Sequence, residues 1–107
     1  RIPVEKGGRK VLIPVDQIRF IMAKDDYSCI YTVDDRFLST TSLAQFEARL
    51  CEFGFFRVHR RYIVNLACVE DVETIASGAI QLGITGVEER IPVSRRRVVP
   101  LKNVLNL

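Results

Sequence analysis

Short runs of alternating apolar and polar residues, separated by turn residues, extend over most of this sequence. In one run Ile18, Phe20 and Met22 recur at every second position, which places them on one face of a β-strand. The turn residues between runs include the pairs Asp25-Asp26 and Asp34-Asp35. Strands joined by such short turns pair with their neighbours, so the pattern predicts an antiparallel meander.

The spacing of the apolar residues changes at Ser42. From there apolar residues recur at helical spacing, at Leu43, Phe46, Leu50 and Phe53. Ser42 and Gln45 form a capping-box sequence, and Gly54 stands where a C-terminal glycine ends a helix. These signals predict one short central helix between two groups of strands.

The last fourteen residues combine arginines with a proline. Ser94 is followed by Arg95–Arg97, and apolar residues at helical spacing come after Pro100. Proline lacks a backbone N–H and its ring clashes with the preceding turn, which disfavours one continuous helix from Arg95. We therefore expect an arginine loop followed by a short C-terminal helix that begins near Pro100.

Length and composition indicate one folded domain. The chain has 107 residues, 48% of them hydrophobic, which is enough for a core at this size. Residues 1–9 mix proline, glycine and charge, as a linker or an edge segment would. Because the chain begins with Arg1, we expect a fragment of a longer protein, with residues 1–9 following a missing N-terminal module and the domain over residues 10–107.

Several classes of site are disfavoured. Cys29, Cys51 and Cys68 are odd in number and far apart, which favours reduced thiols in a cytoplasmic protein over disulfides or a zinc site. No apolar run is long enough to span a membrane. The acidic residues lie in turns or are scattered along a strand, and no catalytic motif is present. We expect no enzyme activity, metal or other cofactor.

Two arginine-rich runs break the strand pattern in the second half of the chain. Residues 54–107 hold eight basic and five acidic residues, whereas residues 1–53 hold eight of each. The runs contain Arg57, Arg60 and Arg61 in one and Arg95–Arg97 in the other. The planar arginine fork matches phosphate oxygens and the O6/N7 edge of guanine. Alternatively, such arginines only solubilise the domain or bind an acidic protein partner.

The sequence around these runs resembles a known family. The stretches "FFRVHRRYIVNLACVEDVE" and "RIPVSRRR" are similar to the LytTR-type DNA-binding domain of bacterial transcription regulators. The resemblance covers about residues 12–105. It implies a mostly β, elongated domain of antiparallel β-sheets with little helix, which contacts DNA through loops instead of a recognition helix.

Positions that match the family motif acquire expected roles. The resemblance implies that bases are read by Tyr27, Arg60 and Arg96. The expected phosphate contacts are Lys24, Arg61, Arg95, Arg97 and Lys102. His59 and Asn65 are expected to shape the loop, His59 as a partly buried imidazole and Asn65 as a buried amide. Arg61 stands where the family usually has a small polar residue. A hydroxyl contact to phosphate is therefore expected to be replaced here by a longer, charged one.

The leading interpretation is a sequence-specific, double-stranded DNA-binding domain, the output half of a bacterial regulator. Its partners would be DNA with repeated half-sites, a missing N-terminal receiver or sensory domain, and a second copy where two domains pair on DNA. The alternative is a protein-interaction β module whose arginines bind an acidic partner.

Overall fold

The computed structural model describes residues 1–107, which form ten strands and two α-helices. The elements are β1 (Ile2–Lys6), β2 (Arg9–Ile13), β3 (Phe20–Lys24), β4 (Tyr27–Tyr31), β5 (Arg36–Ser39), α1 (Leu43–Leu50), β6 (Phe55–His59), β7 (Tyr62–Asn65), β8 (Val69–Thr74), β9 (Ile80–Ile84), β10 (Ile91–Val93) and α2 (Arg95–Leu105). The principal extents are 44 × 26 × 25 Å, so the expected mostly β, elongated domain is confirmed.

Every strand pairing is antiparallel. The strands form a hairpin of β1 and β2, a central sheet in the order β5-β4-β3-β7-β6, and a three-stranded sheet in the order β10-β9-β8. The expected meander is therefore present as β3, β4 and β5. The return strand β7 pairs with the free side of β3, which makes β3 the middle strand of the central sheet.

Two apolar cores lie on opposite faces of the central sheet. Ile21 belongs to the first core, with α1 and the β1–β2 hairpin. Phe20 belongs to the second, with β9, β10 and α2. Ile18, expected on the face of Phe20, lies instead in the first core, because β3 begins only at Phe20 and strand alternation does not extend back to it.

The central helix has the predicted start. The Ser42 hydroxyl accepts a hydrogen bond from the Gln45 N–H at 3.1 Å, and the Gln45 side chain accepts one from the Ser42 N–H at 3.0 Å. Leu43, Phe46 and Leu50 are buried. A 3-10 turn follows α1, and Gly54 closes it with a φ of 83°. Phe53 lies in this turn and is exposed, contrary to its helical spacing.

The predicted C-terminal helix is present, but it begins five residues before Pro100, where an arginine loop was expected. Arg95–Arg97 do not form a loop, since α2 runs without interruption from Arg95 to Leu105 with Pro100 inside it. Pro100 is the sixth of the eleven residues of α2 and removes one hydrogen bond, the one its nitrogen would donate to the Arg96 carbonyl. Leu101 is buried in the second core, and Val98 and Leu105 pack against that core. Burying a leucine is worth about 1.5–3 kcal/mol, so the three side chains together can offset the cost of about 3 kcal/mol for a proline inside a helix.

The N-terminal residues are part of the fold. Residues 1–9 contain β1, whose Ile2 and Val4 side chains are buried in the first core. The sequence was compatible with a linker or an edge segment here, and the structure has a strand that pairs with β2. Its hydrophobic alternation is short, and Pro3 and the following glycines masked it in the sequence.

All three cysteines are free, with Cys29 and Cys68 buried and Cys51 exposed. The helices have 8 and 11 residues, and neither is long and apolar enough to cross a lipid bilayer.

Candidate nucleic-acid interface

Two turns lie side by side at one end of the central sheet. Since β3 is antiparallel to both β4 and β7, the β3–β4 turn and the β6–β7 turn meet at this end. The Ala23 N–H donates to the Arg61 carbonyl at 2.9 Å, and the Arg61 Nη2 donates to the Ala23 carbonyl at 3.0 Å. Arg61 therefore joins the two turns through its backbone and its side chain.

A basic cleft lies between the β6–β7 turn and the start of α2. The Ser94 N–H donates to the Val58 carbonyl at 2.9 Å and brings these segments together. We call the resulting concavity of about 500 Å³ the arginine cleft; its lining residues are Arg57, His59, Arg60, Ser94, Arg96 and Arg97. Four arginines and no acidic or hydrophobic side chain line it, so it presents a concentrated positive potential to an anion.

His59 stabilises the turn as a neutral ring. Its Nδ1 accepts a hydrogen bond from the Arg61 N–H at 3.1 Å. Burial, and then the charges of Arg60 and Arg61, lower the pKa of His59 from its usual 6.5. The neutral form is also the one whose Nδ1 can accept a hydrogen bond.

This depressed pKa predicts how stability depends on pH. The unfolded chain binds a proton at His59 more readily than the folded one, so the contribution of His59 is complete above pH 6.5 and is lost as the pH falls through the lower folded pKa. We expect the free energy of unfolding to fall as the pH drops from about 6.5 towards 5, and His59→Gln to flatten that dependence.

Urea unfolding at a series of pH values measures this dependence in both proteins. Asp35 and Asp71 also have lowered pKa values, because of Lys6 and Arg90 respectively, so they act only in more acidic solution. Equal pH dependence of the two proteins above pH 5 would show that His59 contributes nothing.

Arg57 makes contacts at this site that sequence patterning did not predict. Its Nε donates to the His59 carbonyl at 3.3 Å and its Nη2 to the Arg60 carbonyl at 2.6 Å. Its Nη1 lies 3.3 Å from Glu47 Oε1 on α1. Strand alternation predicts only that Arg57 points away from Val58, and no pattern reveals that its guanidinium folds back onto the turn.

The predicted base readers fall into two places. Arg60 and Arg96 line the arginine cleft together. Arg96 lies in the first turn of α2, so the prediction that a loop carries it was wrong. Ser94 is the N-cap residue of α2, but its side chain makes no capping hydrogen bond. Tyr27 is 48% exposed and lies outside the cleft, at the start of β4.

The predicted phosphate contacts lie on β3, the β6–β7 turn and α2. Lys24 pairs across the β3–β4 hairpin with Tyr27. Arg97 lines the cleft. Arg95 and Lys102 are exposed on α2, and their separation of seven residues places them on one face of the helix.

Asn65 is buried at the other end of β7 from Arg60. Its Nδ2 donates to the Ile18 carbonyl at 2.9 Å, and its Oδ1 accepts from the Ala67 N–H at 3.1 Å. The expected satisfied amide is therefore present, but its hydrogen bonds join the start of β3 to the turn after β7 and do not touch the Arg60 turn.

Acidic groups on the three-stranded sheet are paired with one arginine. Arg90 lies within ion-pair distance of Asp71 and Glu73. The hydrogen bond from Arg90 lowers the pKa of Asp71. These carboxylates are engaged on a different sheet from the arginine cleft, which leaves the positive charge of the cleft uncompensated by them.

The comparison with protein families identifies a DNA-binding module. A family model described as the LytTr DNA-binding domain matches residues 8–106. The heme-containing CO-sensing transcriptional regulator RcoM 2 of Paraburkholderia xenovorans is 33% identical over 107 residues, which are 100% of this chain and 40% of that protein. The transcriptional regulatory protein YpdB of Escherichia coli is 24% identical over 106 residues, which are 99% of this chain and 43% of that protein. The chain thus spans about two fifths of the length of these relatives.

A solved structure has the same fold. The LytTr DNA-binding domain of a Bacillus cereus protein matches with a TM-score of 0.88 at 22% identity, over 99% of this chain and 96% of that one. This likeness concerns the fold, and the family model covers nearly the whole sequence. The chain therefore belongs to the LytTR family of DNA-binding domains.

Proposed function

We propose that this domain binds double-stranded DNA sequence-specifically, with the arginine cleft as the centre of the contact surface. The observation that carries the proposal is the cleft itself, where side chains from the β6–β7 turn and from α2 meet with no acidic residue among them. Such a surface attracts phosphate groups by its positive charge, and its arginines can donate paired hydrogen bonds to base edges.

Arg60 and Arg96 are the proposed readers of bases in the cleft. Neither takes part in an ion pair, since the basic members of those pairs are Lys6, Arg57 and Arg90. A free guanidinium can donate two parallel hydrogen bonds to O6 and N7 of a guanine in the major groove. Tyr27, exposed on the adjacent hairpin, is the third proposed reader.

The remaining cations are proposed to position the domain on the phosphate backbone. They are Lys24, Arg61, Arg95, Arg97 and Lys102. Contacts of this kind set orientation and affinity without reading sequence. His59 keeps the β6–β7 turn in shape through its bond with the Arg61 N–H. Asn65 acts at the far end of β7, as a buried support of the sheet.

We further propose that the domain is the output part of a longer bacterial transcription regulator. The relatives named as transcriptional regulators are more than twice as long as the matched segment. An N-terminal sensory or receiver domain would supply the signal. Repeated half-sites would let two copies bind one operator as a homodimer.

Selection of bound duplexes from a random pool tests the proposal directly. The selected duplex should bind more tightly than a scrambled duplex of equal length, and binding should weaken as salt rises. Duplex binding without any sequence preference would remove the base-reading part. Absence of salt-dependent binding would instead favour an acidic protein as the partner of the arginines.

Arg97→Ala separates phosphate contacts from base contacts. Loss of one phosphate contact should weaken binding to the selected and scrambled duplexes by similar factors, and should make the slope of log K against log salt shallower by about one unit. Gel shifts at four or more salt concentrations measure both. Arg49→Ala is the matched control, because exposed Arg49 lies on α1 and does not line the cleft. If the slope of log K against log salt stayed as steep as in the unaltered protein while the sequence preference changed, Arg97 would be a base reader.

A further inference from the structure

We infer that Arg57 is a positioning residue that holds Arg60 in its reading geometry, although it lines the same cleft as Arg60. This inference rests on the proposed base-reading role of Arg60. The Arg57 guanidinium is bonded to groups of the protein itself, whereas no such hydrogen bonds engage the side chains of the three other arginines in the cleft.

The guanidinium of Arg57 is engaged inside the protein. Its Nε and Nη2 donate to the carbonyls of His59 and Arg60 at 3.3 and 2.6 Å. Its Nη1 donates to the Glu47 carboxylate at 3.3 Å. Three of the five N–H donors of an arginine are thus occupied. One side chain therefore fixes two successive peptide carbonyls of the turn, including that of Arg60 itself.

The backbone needs this support at this place. The pairing of β6 with β7 shifts register between Arg57 and His59. A bulge interrupts the regular ladder and bends its strand. The turn that carries Arg60 directly follows the irregularity, so the ladder alone does not define its direction. The hydrogen bonds of Arg57 provide fixed points on the far side of the bulge.

The anchor of Arg57 is a helix. Glu47 lies on α1. A capping box stabilises the N-terminus of this helix, and Leu43, Phe46 and Leu50 pack it in the first core. The ion pair thus connects the turn to a rigid element. Only 19% of the Arg57 side chain is exposed, and Glu47 compensates its charge. Both properties make Arg57 a poor partner for phosphate and a suitable support for Arg60.

Arg57→Lys tests this role with the charge retained. Lysine carries no planar fork, so it cannot bond two carbonyls and the carboxylate together. The control is Arg49→Lys, the same exchange on α1 outside the cleft. The first measurement is hydrogen exchange of the Arg61 and Ala23 amides without DNA. The Arg61 amide donates to His59 Nδ1 and the Ala23 amide donates to the Arg61 carbonyl, so both report on the β6–β7 turn. The second compares affinity for the selected and scrambled duplexes at several salt concentrations.

For Arg57→Lys we expect the two amides to exchange at least about fivefold faster, with no change in Arg49→Lys. The ratio of selected to scrambled affinity should fall about fivefold or more, while scrambled binding and the salt slope stay as in the unaltered protein. Unchanged amide exchange would overturn the inference, as would equal weakening of both duplexes with a shallower slope. Faster exchange with an unchanged ratio would keep Arg57 as the support of the turn and would refute base reading by Arg60.

Discussion

Replacing Arg60 and Arg96 together with alanine should remove most of the preference for the selected duplex over a scrambled one. Each arginine that reads a guanine through two hydrogen bonds contributes about 1–3 kcal/mol of discrimination. The two side chains come from different elements, the β6–β7 turn and α2, and line one cleft. If they read different bases, their contributions should roughly add. Gel shifts of the single and double variants on both duplexes measure the discrimination.

Charge loss alone must be separated from loss of reading. The double variant Arg9→Ala/Arg49→Ala removes the same charge from exposed positions that do not line the cleft. It should keep the ratio between the two duplexes. The salt slope of Arg60→Ala/Arg96→Ala should change little, because O6 and N7 are neutral acceptors that bind no counterion. Equal losses on both duplexes would show that the two arginines contact phosphate and that bases are read elsewhere.

Replacing Phe20 with alanine should destabilise the domain by about 3–5 kcal/mol. Phe20 is 0% exposed in the second core. Its ring stacks on that of Tyr31 with centroids 4.3 Å apart and planes 8° from parallel. The cavity would open beside the middle strand of the central sheet, where neighbouring side chains are held by pairing on both sides. Urea unfolding followed by far-UV circular dichroism measures the loss.

Phe53→Ala is the matched control for this substitution. Phe53 is 57% exposed in the turn after α1, so its removal should change the free energy of unfolding by no more than about 0.5 kcal/mol. A loss below about 1 kcal/mol for Phe20→Ala would mean that the second core closes around the missing ring.

The sequence predicted the features that depend on local pattern. Alternation and turn residues indicated the strands, Ser42 and Gln45 indicated α1, and the motifs around His59 and Ser94 indicated the family, which is confirmed. The start of α2 was missed because Pro100 locally disfavours a helix. The packing of Leu101 in the second core stabilises the helix all the same. Local propensity gives way to tertiary burial at such a position.

The side-chain directions of the arginines were beyond the reach of pattern. Arg57, Arg60 and Arg61 are adjacent or nearly so, yet the fold uses them differently. Arg57 turns inward to two carbonyls, Arg60 lines the cleft, and Arg61 reaches across to Ala23. These directions follow from the bulge in β6 and from the neighbouring β3–β4 hairpin, whose residues are distant in sequence.

The helical start of α2 has a thermodynamic consequence for association. Fixing the backbone of one residue costs about 1–2 kcal/mol in conformational entropy. In a loop Arg95–Arg97 would meet this cost when the complex forms, but here their backbone is already ordered in the free domain as the first turn of α2. Only the long side chains remain to be immobilised, so a larger share of the contact energy of these arginines should appear as affinity.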